Sequence, residues 1–580
     1  MPSRSGPVHV VTTSRRYKGK IYQTHLIRRS YREGGKVKNE TVGNLSHLPE
    51  HIVALIRSSL RGETHTATDS ASGFEIVASF HHGHVHAVRA TMKRLGFENL
   101  IASRPCRERD LVLAMVAARI VDPFSKLATR RWWNTTTLGE DLDIADAGVD
   151  ELYLAMDWLL ARQGKIEKKL AARHLDENAL ALYDLSSSYF EGVTCPLAAL
   201  GHSRDGKKGK LQVNYGLLTN NNGCPVSVSV YSGNTADPTT LVPEVKKIKS
   251  AFGLKDFVMV GDRGMIGQKQ IDQLKDIEGL GWIGALKAVQ IRKLVKHGAI
   301  QLGLFDERNL IEIIHPDYPG ERLVVCRNPL MADRRVRTRQ SLIEATGKEL
   351  NKVQAMVARG ELIGKDEIGV RVGLVVNKYK VRKHFALNIQ DASFSFELRQ
   401  DQIAAESALD GIYVIRTSLP KERLDAPGAV RSYKLLGRVE RAFRSFKMID
   451  LKVRPIHHHL EDRVRSHIFL CMLAYYVEWH MLEAWRGRLF SDEDLQAKQT
   501  QDPVAPAKRS AKALEKVQSQ TLEDGSEVHS FRTLLADLST IVRNHCRRKN
   551  APTNEPTFTI TTTPSAEQQR ALGLIDAITV

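Results

Sequence analysis

Apolar residues recur with two different periods along the chain, and the period changes near residue 178. Between residues 84 and 174, apolar side chains stand at i, i+3 and i+4, the spacing of one face of an α-helix. This spacing predicts helices over 86–95, 108–121 and 151–162. Beyond residue 178, short continuous apolar runs are bounded by turn residues, a pattern typical of buried β-strands.

The apolar runs after residue 178 alternate with amphipathic segments in a fixed order. The predicted strands are 179–184, 211–219, 226–231, 256–262 and 281–286. Helices are predicted over 239–252, between the third and fourth strands, and over 268–277, between the fourth and fifth. The resulting order is three consecutive strands, a helix, a strand, a helix and a strand. This is the order of the ribonuclease H-like fold, an α/β fold with a mixed sheet flanked by helices.

Composition divides the rest of the chain. Residues 8–46 alternate β-like runs with basic turns, and Pro49 then opens a short helix. Residues 62–73 are small and polar, as in a linker. Residues 290–410 mix β-like runs with a basic helix over 330–359, which predicts an insertion domain before the chain returns to the core.

Six segments follow from these patterns. We predict a basic β-rich module, a helical DNA-binding domain, a ribonuclease H-like core in two parts around a β-containing insertion domain, and a linker with a C-terminal tail. The basic module spans 1–61 and the helical domain spans 75–174. The core spans 178–289 and 411–490, the insertion domain between its parts spans 290–410, and the linker with its tail spans 491–580. The helical domain has a purely structural reading beside the DNA-binding one. Within the tail, a helix is predicted over 530–547, and the last thirty residues are predicted to be loosely structured.

The segment 433–447 predicts one amphipathic helix with an unusual set of charges. Its apolar stripe consists of Leu435, Val439, Ala442 and Phe446. Glu440 lies at the edge of that stripe, flanked on the outer side by Arg441 and Arg444. At about 100° per residue, Tyr433 and Lys447 fall within about 20° of the line of Glu440. An acid among cations suits a site that handles phosphate and metal, although a solvated surface helix has the same pattern.

The net charge of +19 predicts a polyanionic partner, of which DNA is preferred to a membrane surface. The longest strongly apolar run, 468–477, is about half the length of a spanning helix, and the N-terminus lacks the apolar core of a signal peptide. The six cysteines are scattered without a CxxC pair, which argues against a disulfide framework or a zinc knuckle. We therefore expect a cytoplasmic, nucleoid-associated protein.

Two aspartates follow strongly apolar runs, Asp184 at the end of 179–184 and Asp262 at the end of 256–262. Neighbouring strands lie about 4.8 Å apart, so carboxylates at such ends converge. With Glu440 they would form a three-carboxylate site suited to Mg²⁺, and two such ions promote displacement at phosphorus. Each aspartate alone has an alternative role as a turn or helix cap.

Four segments carry a family resemblance: YDLSSSYF, YSGNTAD, VMVGDRGM and YKLLGRVERAFRSFK. They resemble DDE transposases of bacterial insertion sequences, and most closely the insertion-sequence-four superfamily, over roughly 178–480. The resemblance assigns the catalytic and metal-binding acids to Asp184, Asp262 and Glu440. It places the family's Tyr and Lys at Tyr433 and Lys447. Leu436 stands where the family has an arginine, and Arg438 or Arg444 would have to supply the corresponding phosphate contact.

The resemblance implies hydrolysis of a phosphodiester at the transposon end and strand transfer of the resulting 3′-hydroxyl. Asp184 would bridge two Mg²⁺ ions, for which Mn²⁺ can substitute, and Asp262 and Glu440 would each hold one. Tyr433, Arg441, Arg444 and Lys447 are the expected DNA-binding residues. The implied partners are double-stranded DNA, as terminal inverted repeats and target, and a second copy of the chain in the synaptic complex.

Two other readings of the same residues stay open, a transposase-derived DNA-binding protein that no longer cuts, and a ribonuclease H-like nuclease without strand transfer. Intact acids argue against the first, and the basic modules on both sides of the core argue against the second. Among single residues, Asp237 is expected to cap a helix, and His467 to be packed and hydrogen-bonded.

Overall fold

The structure is a computed structural model that describes residues 6–17, 20–61, 73–300, 305, 309–494, 502–506, 508–549, 552 and 556–579. The chain forms two compact units. The smaller unit comprises Met1–Phe80 and Val542–Thr562, and the larger comprises His81–Ile541 and Thr563–Val580. The predicted linker at 62–73 lies almost entirely outside the described residues.

Sixteen strands occur within the described residues. They are β1 Val8–Tyr17, β2 Lys20–Glu33, β3 Lys36–Asn44, β4 Phe74–His81, β5 Ala179–Tyr189, β6 Gln212–Thr219, β7 Pro225–Ser232, β8 Phe257–Gly261, β9 Leu280–Ala285, β10 Leu310–Ile313, β11 Arg322–Arg327, β12 Phe385–Ile389, β13 Phe394–Leu398, β14 Ile412–Thr417, β15 Val542–Arg548 and β16 Phe558–Thr561.

The α-helices of the larger unit flank its sheet or build the insertion. They are Gly83–Arg94, Phe97–Ile101, Arg107–Val121, Lys126–Trp133, Leu138–Asp141, Val149–Leu160, Gln163–His174, Asp237–Lys247, Gln268–Leu274, Ala288–Lys296, Pro329–Ala358, Lys365–Tyr379, Gln400–Ser407, Ala426–Lys434, Leu436–Arg444, Glu461–Ala484, Ala511–Ser519, Phe531–Leu538 and Ala566–Asp576. Two π-helical turns, Ile248–Phe252 and Ser445–Ile449, extend the helices before them.

The smaller unit contains two antiparallel sheets. β1, β2 and β3 form a meander in that order, and the helix Glu50–Leu60 begins directly after Pro49. A proline just before a helix is favourable because its fixed φ suits the helix start. β4 joins β15 and β16 in a second sheet, so part of the predicted tail forms a strand pair instead of a loose segment.

The larger unit is built on one mixed sheet of eight strands, in the order β10-β11-β14-β9-β8-β5-β6-β7. β5, β8 and β9 run parallel, and β6 and β7 continue antiparallel from β5. All the predicted core strands are present within one or two residues of their predicted bounds, apart from the end of β5. They form because strands such as β6 and β8 are buried on both faces and are largely apolar.

The helices before the sheet share its hydrophobic core and do not form a separate domain. Arg107–Val121 is buried on nearly all sides, and it packs on the central helix Glu461–Ala484, which also contacts β7. A helix that is apolar all round needs cover on every side, and this requirement draws it into the core. The helices of the segment 75–174 therefore pack in the same core as the sheet.

The insertion is divided between two cores. β10 and β11 extend the main sheet beyond β14, whereas the helices Pro329–Ala358 and Lys365–Tyr379 pack with β12 and β13 around a core of their own. The predicted insertion over 290–410 therefore contributes two strands to the sheet.

Two further predictions at the C-terminus were wrong. The helix expected over 530–547 ends at Leu538, and Val542–Arg548 is a strand. The end of the chain carries the helix Ala566–Asp576, whose Ala571 and Ile575 are buried. Separately, no helix among the described residues has both the length and the apolar character that crossing a bilayer requires.

Candidate active site

Asp184 and Asp262 lie side by side on neighbouring parallel strands. Tyr183 of β5 pairs with Gly261 of β8. Asp184 is the next residue of β5, and Asp262 directly follows β8. Asp184 does not end its strand as predicted. β5 continues to Tyr189, because the serines after Asp184 are buried and remain paired with β6. The backbone N–H of Leu185 donates a hydrogen bond to Asp184 Oδ1 across 2.8 Å, which holds the carboxylate.

Glu440 lies on the helix Leu436–Arg444, which packs on β5 and β6. Val439, Ala442 and Phe443 of this helix are buried, whereas Glu440 is exposed. The apolar face therefore docks the helix on β5, the strand that carries Asp184, and leaves the Glu440 carboxylate exposed.

Electrostatics connect the three acids. Burial, together with the charges of Asp262 and Glu440, raises the pKa of Asp184 from 3.8 to about 7. Among the described residues, the oxygens of these three acids do not all lie within 4.8 Å of one another.

The donor set of this site is suited to hard divalent cations. It consists of carboxylate oxygens, the ligands that Mg²⁺ and Ca²⁺ prefer. Asp184 is held beside two like charges, and a cation between them would relieve that repulsion. The residues present therefore fit a divalent ion.

Tyr433 reaches the site from the helix before the Glu440 helix. Its hydroxyl donates a hydrogen bond to Asp262 Oδ1 across 3.1 Å. Burial and the charge of Asp262 raise the pKa of Tyr433 well above its usual range, so this hydroxyl keeps its proton. The tyrosine therefore positions the Asp262 carboxylate.

The segment 433–447 is not one helix. One helix, Ala426–Lys434, ends just before Leu435. A second helix, Leu436–Arg444, follows it, and Ser445–Ile449 is a π-helical turn. The interruption at Leu435 and the π-turn disturb the regular helical repeat that underlies the predicted alignment of Tyr433, Glu440 and Lys447. Val439, Ala442 and Phe446 of the predicted stripe are buried as expected.

Lys447 is held in a buried ion pair. Its Nζ donates to Asp205 Oδ1 across 3.0 Å, and Arg454 pairs with the same carboxylate. The backbone N–H of Tyr189 donates to Asp205 Oδ2 across 3.0 Å. Asp205 was not singled out from the sequence. Its signal was a lone acid within the basic loop HSRDGKKGK.

The other charged residues of this region take different positions. Arg441 and Arg444 are exposed on the Glu440 helix. Leu436 is buried at the start of that helix, so the family arginine position belongs to the core. Arg438 donates to Asn222 Oδ1 across 3.0 Å in the β6–β7 turn, and this contact ties it to protein.

Two single-residue expectations had opposite outcomes. Asp237 is the first residue of the helix Asp237–Lys247, and its side chain pairs with Arg204 instead of capping the helix. Arg204 in turn lowers the pKa of Asp184 through its charge, against the larger effect of burial. His467 is buried and its Nε2 is hydrogen-bonded to Val453 O at 3.3 Å, as predicted.

Two family profiles match separate parts of the chain. The family profile "Transposase DDE domain" matches residues 196–477, a span that includes Asp262 and Glu440 but begins after Asp184. The profile "IS1634 family transposase, N-terminal domain" matches residues 10–70. A search of curated proteins gave no match.

A solved structure of the piggyBac transposase synaptic complex with hairpin DNA was also found. It shares 9% sequence identity, with 78% of this chain and 77% of that chain covered, at a TM-score of 0.33. The two family profiles match two separate parts of the sequence. Together they show that the chain belongs to the DDE transposases of bacterial insertion sequences.

Proposed function

We propose that this DNA transposase cuts and joins DNA at the ends of its own element, with Asp184, Asp262 and Glu440 as the ligands of two Mg²⁺ ions. The observation that carries the proposal is the register that sets Asp184 beside Asp262, with Glu440 close enough to raise the pKa of Asp184. Isolated surface acids do not interact in this way.

Transposase DDE domains use divalent metal ions, and Mg²⁺ is the ion proposed here because it binds through a few carboxylates and leaves positions for phosphate oxygens. When bound, such ions lower the pKa of water and stabilise both oxygens of an in-line displacement at phosphorus. Asp184 would contact both ions, Asp262 one and Glu440 the other. Mn²⁺ is expected to substitute.

The protein groups around the acids would orient the carboxylates and neutralise the charge of the DNA backbone. Tyr433 holds Asp262 by its hydroxyl, and the Leu185 N–H fixes Asp184. Arg441 and Arg444 project from the helix that carries Glu440 and are exposed. Their positive charge would hold the DNA backbone beside the acids, a positioning role that carries no sequence information.

Lys447 enters the proposal in a changed role. Because Asp205 and Arg454 enclose its ammonium group, direct contact with a phosphate would require that pair to open. We propose that Lys447 first serves to fix the segment after Glu440 against the loop that carries Asp205, and that it reaches the terminal phosphates in the DNA complex.

The proposed catalytic core is ribonuclease H-like. The contiguous strands β7-β6-β5-β8-β9 form an antiparallel trio followed by two parallel strands, the arrangement expected from the order of elements. The insertion extends the sheet of the proposed core through β10 and β11 and adds a helical extension.

The proposed partners are double-stranded DNA at the terminal inverted repeats and the target, and a second copy of the chain that completes the synaptic complex. The net charge of +19 supports a polyanionic partner. A further basic surface lies on the helix Pro329–Ala358, where Arg334, Arg335 and Arg337 are exposed.

The test is an end-cleavage assay with the purified chain, a DNA fragment that carries the element's terminal repeats, and Mg²⁺. Discrete cuts at the repeat ends and joined products in a target plasmid are expected from the wild type. Asp184→Asn, Asp262→Asn and Glu440→Gln should each reduce cleavage by at least about 10³-fold. The matched control is Asp272→Asn, an exposed acid that accepts a hydrogen bond from Gln268.

Each alternative outcome has a definite meaning. Binding of the repeats without cutting would identify a silent DNA-binding descendant. Cutting without joined products would identify a nuclease. Equal activity of the three variants and the Asp272→Asn control would overturn the assignment of the acids.

A further inference from the structure

Three potential metal ligands, none of them one of the proposed catalytic acids, come together at the β6–β7 turn. His174 ends the helix Gln163–His174, Cys224 follows the turn, and His480 lies on the central helix Glu461–Ala484. One ligand atom from each lies within 4.8 Å of the other two. The three residues come from three separate elements, so the fold and not local sequence assembles them.

We propose that His174, Cys224 and His480 bind a zinc ion that ties these three elements together. Zinc takes histidine nitrogen at about 2.0–2.1 Å and cysteine sulfur at about 2.3 Å. Ligands of a tetrahedral zinc ion are therefore about 3.5 Å apart. The ligand atoms lie within 4.8 Å of one another, so the cluster needs to contract by about 1.3 Å at most. Three protein ligands leave the fourth position for water.

A second observation points to a ligand at this place. The Nε2 nitrogen of His480 is buried and has no hydrogen-bond partner among the described residues. His480 itself is 8% exposed. Buried polar side-chain atoms are almost always hydrogen-bonded, so an orphaned nitrogen calls for an unseen ion or water. A zinc ion bound to the cluster would satisfy it.

The chemistry of the surroundings agrees with this assignment. Histidine nitrogen and cysteine sulfur are both ligands that zinc prefers. His174 Nε2 is hydrogen-bonded to Tyr476 OH at 3.0 Å, and metal binding either keeps this bond as an orienting contact or replaces it. Zinc needs no redox partner and no axial sulfur ligand, unlike the copper sites built from two histidines and one cysteine.

The turn that presents Cys224 is already ordered. Asn220 Oδ1 accepts hydrogen bonds from the N–H groups of Asn222 and Cys224, at 2.9 and 3.0 Å. Gly223 has a φ of +84°, and a Cβ there would come within 3.0 Å of Arg438. Because Arg438 belongs to the Glu440 helix, a metal at Cys224 would also steady the turn on which that helix rests.

The test measures metal directly in tag-free full-length protein purified without chelator. Elemental analysis should give about one zinc per chain for the wild type. Cys224→Ser and His480→Ala should each lose most of it, while the matched control Cys195→Ser, a buried cysteine outside the cluster, should keep it. Circular dichroism establishes that each variant is folded.

Cobalt substitution separates this site from the catalytic acids. Co²⁺ added to chelator-treated wild type and Cys195→Ser should produce a cobalt–thiolate charge-transfer band, which carboxylate ligands cannot give. Cys224→Ala should lack the band, and one equivalent of Zn²⁺ should raise the Tm of the wild type but not of this variant. A folded wild type that shows neither zinc nor the cobalt band at several equivalents of metal would overturn the proposal and leave an aromatic packing cluster.

Discussion

The Tyr433 hydroxyl donates a hydrogen bond to Asp262 Oδ1 across 3.1 Å. This contact joins the helix before the Glu440 helix to the end of β8, and it orients one carboxylate of the proposed metal site. The family tyrosine thus has a role that the sequence did not show, because the expected alignment of Tyr433 with Glu440 on one helix is absent.

Tyr433→Phe should lower end cleavage about tenfold without changing the fold. The substitution removes one hydrogen bond to a charged group, worth about 1.5–3 kcal/mol, and frees the Asp262 carboxylate to rotate. The loss should diminish as Mg²⁺ is raised, because the ion itself then orients the carboxylate. Tyr318→Phe, which alters a tyrosine beside Arg416, is the control. Equal rates for both variants at low Mg²⁺ would contradict the positioning role.

Asp184→Asn should stabilise the metal-free protein at pH 8 while abolishing cleavage. The raised pKa of about 7 means that the folded state holds a proton which the unfolded state releases near pH 4. The corresponding stability is present below pH 4 and is lost as the pH rises to about 7. The amide carries no charge, so the variant should gain on the order of 2–4 kcal/mol at pH 8 and little at pH 4. Urea unfolding in chelator at both pH values measures the difference.

Asp205→Asn should destabilise the protein more than Lys447→Met. Asp205 is enclosed with two cations, and its removal leaves Lys447 and Arg454 buried without a countercharge. Breaking a buried pair in this way costs about 3–5 kcal/mol. Lys447→Met leaves Arg454 on Asp205, so its cost should be smaller. Equal free energies of unfolding for the two variants would show that Arg454 does not share the carboxylate.

Glu478→Gln should flatten the dependence of stability on pH above pH 5. Glu478 is fully buried near Asp450, and burial followed by that neighbouring acid raises its pKa well above 4.5. The stability from its proton is therefore lost as the pH rises. Ser445 Oγ donates to Glu478 Oε1 across 2.6 Å, a bond that the amide oxygen can also accept. Thermal unfolding between pH 5 and 8 tests this, with Glu515→Gln, an exposed acid on Ala511–Ser519, as the control. A slope equal to that of the wild type would show that Glu478 is ionised in the folded protein.

The core strands could be predicted because burial on both faces leaves uninterrupted apolar runs. β8 and β9 needed no knowledge of their neighbours. The end of β5 could not be predicted in this way. Its buried serines look like turn residues, and only the pairing with β6 and the bond from Ser188 to Tyr215 explain them.

The charged residues were harder to place. Glu440 has a clear periodicity signal, since three buried apolar residues surround it on its helix. Lys447 lies seven residues from Glu440, as the helical pattern requires. A π-turn follows Arg444, however, and the Lys447 side chain forms an ion pair with Asp205. A partner 242 positions away in sequence leaves no local pattern. The His174, Cys224 and His480 cluster escaped notice for the same reason.

The most direct test of the central assignment is a crystal structure of the chain bound to its terminal-repeat DNA in Mn²⁺, with the anomalous signal of manganese located. Manganese peaks are expected in contact with Asp184, Asp262 and Glu440 and with a phosphate oxygen of the DNA end. Manganese bound elsewhere, with these three carboxylates free of metal in the DNA complex, would contradict the assignment.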